Sequence, residues 1–294
     1  MPVNSAVVVR RFRLRWLLLI VFCYPLWSAA DSIEPAAITI IIDDLGYNLN
    51  QGMRAVALPG PVTFAVLPHS PHSKKLAEAA HNRDKEVMLH MPMDNGSGLS
   101  PGPGVLTAKQ DQTTFRQQLE QAIQAIPHLQ GINNHMGSSL TQNTQRMKWV
   151  MASLKNRSLY FVDSRTTALS VAGATARRQH IPSLERDVFL DHDPTPAAID
   201  KQFKRLIKLA KKQGSAVAIG HPYPSTLGYL ENVIPKLDAM GIFLVSPSGL
   251  LMLKQAKTRN TEIHSDKALV IAALPTNRSH CTITEQLERR IVTC

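Results

Sequence analysis

The sequence predicts an α/β protein built on a parallel sheet, wound either open or closed into a barrel. Three observations predict it. Short apolar runs alternate with amphipathic ones at fairly regular spacing along most of the chain, and no segment repeats another. The first apolar run, Ala37-Ile38-Thr39-Ile40-Ile41-Ile42, has no wet face, as in a strand covered on both sides by helices. It ends abruptly in Asp43-Asp44, two carboxylates at a strand C-terminus, where α/β folds build their sites. Strands separated by helices pair in parallel, and right-handed crossovers then bring their C-termini to one face.

In chain order the strands are 37–43, 62–67, 86–90, a short one near 131–133, then 159–163, 188–191, 216–220 and 242–245. Helical patterns fill 72–83, 113–126, 143–155, 195–213 and 225–240. In the fourth of these, Phe203, Leu206, Ile207 and Ala210 fall at i, i+3, i+4, i+7 and form one apolar stripe. Lys201, Lys204, Arg205, Lys208, Lys211 and Lys212 cover the rest. Such a face reads as the solvated side of a packed helix, although a basic amphipathic helix can also make peripheral contact with an anionic envelope surface. Residues 94–111 form a Gly/Pro-rich loop directly after a His-bearing strand end, placed to be a lid or one wall of a groove. Beyond about residue 255 the rhythm fades, and 256–294 reads as a tail, partly ordered at best.

The chain has 294 residues, 44% of them hydrophobic, enough for one large domain or two small ones. Residues 1–30 belong to neither. Arg10, Arg11, Arg13 and Arg15 precede the apolar run 16–27, and Ser28-Ala29-Ala30 follows, the pattern of a cleavable export signal. The run is interrupted by Pro25 and too short to span a bilayer. Its removal takes four arginines and no acids, so the formal charge falls from +11 to +7. A moderately basic protein suits anionic envelope polymers, and no nucleic-acid motif accompanies the charge. Cys281 and Cys294 remain, both in the tail, and an oxidising compartment allows them one disulfide or two free thiols.

The chemistry collects at strand ends. Asp43 and Asp44 end the first strand, His90 the third, and His135 follows the short fourth. Asp163, Asp191 and His221 end later ones. Neighbouring carboxylates repel and lose solvation, so a metal ion or a shared proton must offset the cost. A divalent ion held by one carboxylate and two neutral imidazoles keeps an open position for water, as catalytic zinc sites do. Asp44, His90 and His135 are the candidate ligands, with zinc the expected ion. Asp43 is the candidate base that takes the proton from water, and His221 the candidate acid that protonates the leaving group. Asn134, Asp163, Asp191 and Tyr223 are candidate substrate contacts. Tyr47, Tyr223 and Met136 lie beside site residues, where they either stack on a sugar ring or pack the rim. Glycoside hydrolysis by paired carboxylates fits less well, because adjacent residues on a strand point to opposite faces.

Five segments carry a resemblance: Ile42-Asp43-Asp44-Leu45-Gly46, Val87-Met88-Leu89-His90-Met91-Pro92-Met93, Gly131-Ile132-Asn133-Asn134-His135-Met136-Gly137-Ser138, Phe161-Val162-Asp163-Ser164 and Ala218-Ile219-Gly220-His221-Pro222. Together they resemble the divergent polysaccharide deacetylases, the YibQ-like proteins, over residues 36–250. The resemblance implies a distorted (β/α) barrel of about seven parallel strands, related to NodB-type carbohydrate esterases and occupying residues 33–255. It also implies a periplasmic location. In the NodB-type pattern the first Asp of the opening pair is the base and the second a zinc ligand, which assigns those roles to Asp43 and Asp44. His90 matches the first histidine of that pattern's His-[Ser/Thr]-x-x-His motif, and Asp94 stands where the second would be. His135 falls where the pattern has an Arg-x-Pro-Tyr-Gly segment and is the candidate replacement ligand. His221 resembles the general-acid histidine of the last motif. The function expected is removal of acetyl groups from N-acetylated amino sugars of an envelope polysaccharide, by a monomer. The alternative is a catalytically degenerate polysaccharide-binding or envelope-assembly factor on the same scaffold.

Overall fold

A computed structural model describes Met1 and residues 36–272, with side chains of the last helix followed to Arg259. By its internal contacts the chain divides into Met1–Glu34 and Pro35–Cys294, and the fold is that of the second unit. The candidate export signal and the two tail cysteines lie outside the described residues.

The strands are β1 (Ala36–Leu45), β2 (Thr63–Val66), β3 (Val87–Met93), β4 (Leu129–Met136), β5 (Tyr160–Asp163), β6 (Ser183–Glu185), β7 (Val188–Phe189), β8 (Ser215–Gly220) and β9 (Ile242–Leu244). They form one sheet in the order β6-β5-β4-β3-β2-β1-β8-β7, with every pairing parallel. β9 shares an edge of β1 with β2: it pairs Ala36–Ile38, and β2 pairs Ile41–Leu45. The two ends of the sheet meet through one stretch of chain. The Arg186 N–H donates to the Asp163 carbonyl on β5, and the next N–H, of Asp187, donates to Val217 on β8. β6 and β7 are thus two halves of one stave, and the sheet curls into the distorted barrel the resemblance implied.

Burial explains the run that opens β1. Ile38, Ile40 and Ile42 pack outward among the helices, while Ala37 and Ile41 pack inward with Met88, Val162, Val217 and Ile219. Both faces are dry, so both are apolar. The helices are α1 (Leu49–Val56), α2 (Ser73–His81), α3 (Gln112–Ala125), α4 (Thr144–Lys155), α5 (Ala172–Arg178), α6 (Pro196–Gln213), α7 (Pro224–Val233) and α8 (Pro247–Ala272). On α6 the stripe is as expected: Phe203, Leu206 and Ala210 are buried and the six basic residues are largely solvated. The pattern 225–240 resolves into α7 and two 3-10 turns, the first containing Pro235, which has no N–H to continue an α-helix. α8 carries helical hydrogen bonding to Ala272, past residue 255 where the apolar rhythm fades.

Two differences from the expected boundaries matter for the site. β3 runs on to Met93, and β4 is a full strand that contains His135. Pairing of Met93 with Leu106 folds the 94–111 loop back against the strand end. Gly104 of that loop lies close against the His69 ring and Gly102 near the Tyr47 hydroxyl, while the Asn95 amide meets the Met136 sulfur. The loop therefore stands as a wall beside the C-terminal ends of β1 and β4.

Candidate active site

Strand alternation turns Asp43 inward, in step with Ala37, Thr39 and Ile41. At Asp44 the backbone takes a left-handed φ of 59°, and the β1–β2 register breaks between Ile42 and Leu45. Asp is among the few residues other than glycine that enter this region at modest cost. The bend swings the second carboxylate to the same side as the first. Asp43 Oδ2 lies 3.5 Å and Asp44 Oδ1 3.1 Å from one nitrogen, Nε2 of His90. The expectation that the two carboxylates diverge is thereby corrected: it assumed a strand that stays straight.

The β3–β4 register sets His90 beside Asn133 and Pro92 beside His135. Residues two apart share a face, so Asn133 and His135 both enter the barrel. His135 Nδ1 then lies 3.0 Å from Asp44 Oδ1 and 3.0 Å from His90 Nε2. One oxygen and two nitrogens thus form a nearly equilateral triangle. Asp44 Oδ1 is buried and has no hydrogen-bond partner. Three donors converging on a common point, with a buried oxygen left orphaned, is the arrangement a cation fits. A tetrahedral ion with bonds of about 2.0–2.1 Å spaces its donors about 3.3 Å apart, close to what is seen here. One carboxylate and two imidazoles suit zinc and leave a position open.

The electrostatics agree. Burial works against a charged His90, yet the Asp43 and Asp44 carboxylates outweigh it and raise its pKa to about 9. Asp44 is likewise held well below the usual carboxylate range: burial opposes this, and His135 and His90 override it. Asp43 moves upward, chiefly because it is buried away from water. In the metal-free protein a proton on His90 offsets the clustered negative charge that a divalent ion would otherwise offset.

Across the cavity, His221 Nε2 lies 3.8 Å from Asp44 Oδ2. Its other nitrogen is 2.9 Å from Asp191 Oδ1, while Asp191 Oδ2 accepts the His221 backbone N–H and the Thr226 hydroxyl. The His221 ring lies between Phe189, stacked at 5.4 Å, and Tyr223, tilted at 5.4 Å. Burial disfavours its charged form, but Asp191 and the Asp44 and Asp43 charges raise its pKa overall.

The structure brings Asp43, Asp44, His90, His135 and His221 together, with Tyr223 half exposed on the rim. It gives three candidate substrate contacts other tasks. Asn134, on the outward phase of β4, accepts the Ser164 N–H and donates to the Met136 carbonyl. Asp163 accepts from the Ser170 hydroxyl and from the N–H groups of Arg165 and Gly173, tying the start of α5. Asp191 orients His221. Asp94, where a second NodB-type histidine would stand, caps its own loop by accepting the Gly96 N–H. Two residues of the site have no place in the sequence-based expectation. Asn133 lies between Asp43 and His90. Arg186 donates to the Ser164 and Arg165 carbonyls and lies 4.4 Å over the ring of Phe189, behind His221. For Asn133 a signal existed: it shares the phase of His135, and Asn134 does not.

Residues 40–251 match the family model described as divergent polysaccharide deacetylase. The chain is 37% identical over 233 residues to the uncharacterized protein YibQ of Escherichia coli (strain K12), covering 79% of this chain and 73% of that one. An uncharacterized protein of Haemophilus influenzae is 35% identical over 212 residues, 72% of this chain and 75% of its own. Among solved structures, uncharacterized protein ATU2773 of Agrobacterium tumefaciens C58 aligns with a TM-score of 0.72 at 23% identity, over 76% of this chain and 91% of its own, and shares the fold.

Proposed function

This chain belongs to the divergent polysaccharide deacetylase family, and on that footing we propose that it is an exported, metal-dependent hydrolase. Its substrate on this reading is an N-acetylated amino sugar of a periplasmic envelope glycan. The observation that carries the reading is the Asp44–His90–His135 triangle, flanked by a buried carboxylate on one side and a carboxylate-held imidazole on the other. The N-terminal basic and apolar segment supports export.

A divalent ion held by Asp44, His90 and His135 would polarise the acetamide carbonyl and acidify water. The chain's own groups do the proton work. Asp43, with Oδ1 held by Asn133 over 2.8 Å, has Oδ2 on the ligand side to take the proton of the attacking water. His221 Nδ1 is committed to Asp191, so Nε2 is the nitrogen that faces the site and carries the proton to the departing amine. Cleavage of the C–N bond then yields acetate and a free amino sugar. His135 occupies the third corner of the triangle, so Asp94 in place of a histidine does not by itself remove a ligand.

The test is metal analysis of the mature protein together with a screen of acetylated chito-oligosaccharides for released amine. Zinc-dependent release that disappears in Asp43→Asn supports the hydrolase. Glycan binding that survives Asp43→Asn, with no turnover of any acetylated sugar, favours the degenerate binding factor instead.

A further inference from the structure

Asn133 is fully buried at the centre of the site, between the candidate base and a candidate metal ligand. Its Nδ2 donates to Asp43 Oδ1 over 2.8 Å, and its Oδ1 meets His90 Nδ1 at 2.7 Å. The polarity of this chain of bonds follows from charge. An ionised carboxylate only accepts, so the amide presents its NH2 to Asp43. The amide oxygen is then left for His90, and an oxygen with no hydrogen also only accepts, so His90 Nδ1 carries a hydrogen. A neutral imidazole has one such hydrogen. In the neutral ring that a bound cation requires, Nε2, the nitrogen 3.1 Å from Asp44 Oδ1 and 3.0 Å from His135 Nδ1, is therefore the one left with its lone pair.

We infer that Asn133 is a positioning residue with two outputs: it fixes His90 in the tautomer that offers Nε2 to a divalent cation, and it aims Asp43 as the base. An amide performs both because it is donor and acceptor at once. The strand register that sets Asn133 beside His90 makes the placement rigid. The inference rests on the proposed hydrolase reading, since a ligand histidine and a base are what Asn133 would serve.

Two near-isosteric variants separate the outputs. Asn133→Leu provides neither bond. Zinc affinity, read by competition with a chromophoric chelator, is expected to fall about 10- to 100-fold, the usual cost of losing a group that orients a metal-binding histidine. kcat falls with it. Asn133→Asp still accepts from His90 Nδ1 but sets a carboxylate against Asp43. Zinc affinity is expected to stay within about threefold of wild type, because the orienting bond is kept. kcat falls about 100-fold at unchanged KM, because the base is no longer aimed. In 15N–1H spectra of the zinc-loaded wild type and Asp variant, the hydrogen of His90 is expected on Nδ1. Melting curves check folding, and if the leucine variant does not fold the aspartate variant decides alone.

Zinc affinity lost equally in both variants, a leucine variant that binds like wild type, or an aspartate variant with unchanged kcat overturns the inference. A wild type that binds zinc but cleaves no acetamide ends the hydrolase reading, while the affinity and 15N measurements still judge Asn133. A wild type with no zinc affinity overturns both.

Discussion

Asp44 reaches the site only because its backbone leaves the strand at φ 59°. That conformation costs a non-glycine residue roughly 1 kcal/mol or more, and Asp and Asn bear it best. Asp44→Asn therefore keeps the bend and removes the charge, whereas Asp44→Ala gives up both. Both variants should lose zinc on direct metal analysis, and the metal-free alanine variant should unfold about 1 kcal/mol more easily than the asparagine one. Asp44→Asn that still holds zinc as tightly as wild type would contradict the ligand assignment. At His221 the expectation concerns pH. Its pKa is raised above the ordinary imidazole value because Asp191 and the nearby carboxylates outweigh burial. A general acid works only while protonated, so activity is present below that pKa and lost as pH rises through it. In Asp191→Asn the charge that raises it is gone, so the alkaline limb of kcat/KM should move to lower pH. An unmoved limb would show that another group donates the proton.

At the scale of elements, the strand ends divide into those that enter the cavity and those that hold the rim. Asp163 illustrates the second kind: its carboxylate accepts from Arg165, Ser170 and Gly173, along the segment that leads from β5 into α5. Asp163→Ala should cost about 3 kcal/mol in urea unfolding, the loss expected for a buried carboxylate with several charge-assisted bonds, and leave zinc affinity unchanged. A normal stability would mean that α5 is fastened otherwise. The division was half legible in the sequence. Residue types at strand ends pointed to Asp43, Asp44, His90, His135 and His221. Which neighbour shares their face was not read, although period two already separates Asn133 from Asn134. The bend at Asp44 had no such signal, because a single left-handed residue leaves no trace in a hydrophobic pattern. The 94–111 loop was legible by composition, and Gly96, Gly98, Gly102 and Gly104 all have positive φ. If it forms a groove wall, shortening it between Gly96 and Gly104 should raise KM for a tetrasaccharide several-fold and leave zinc affinity alone.

For the whole molecule, closure into a barrel was implied only by the family resemblance, while the parallel sheet was legible because apolar runs alternating with amphipathic ones are a collective signal. It failed where the site is. The hydrophobic pattern marks β4 only as a short piece near Gly131–Asn133, although the strand runs to Met136. Inward positions that would be apolar in a purely structural strand are here Asn133 and His135, so these polar residues erase the pattern that would have announced the strand. The same placement links the site to global stability. β1, β3 and β4 each supply one corner of the triangle, and the three donors meet only when those staves are assembled. An ion that binds this assembly and not the unfolded chain stabilises it by mass action, about 4.1 kcal/mol at a free concentration 1,000 times Kd. For a domain of this size each kcal/mol shifts Tm by about 2–4 °C. The melting temperature of the chelator-treated protein should therefore rise by roughly 8–16 °C on saturation with zinc. The shift should reverse with chelator and be absent in His135→Ala. Equal shifts in wild type and His135→Ala would place the zinc elsewhere, and no shift in either would deny the barrel a metal-linked core.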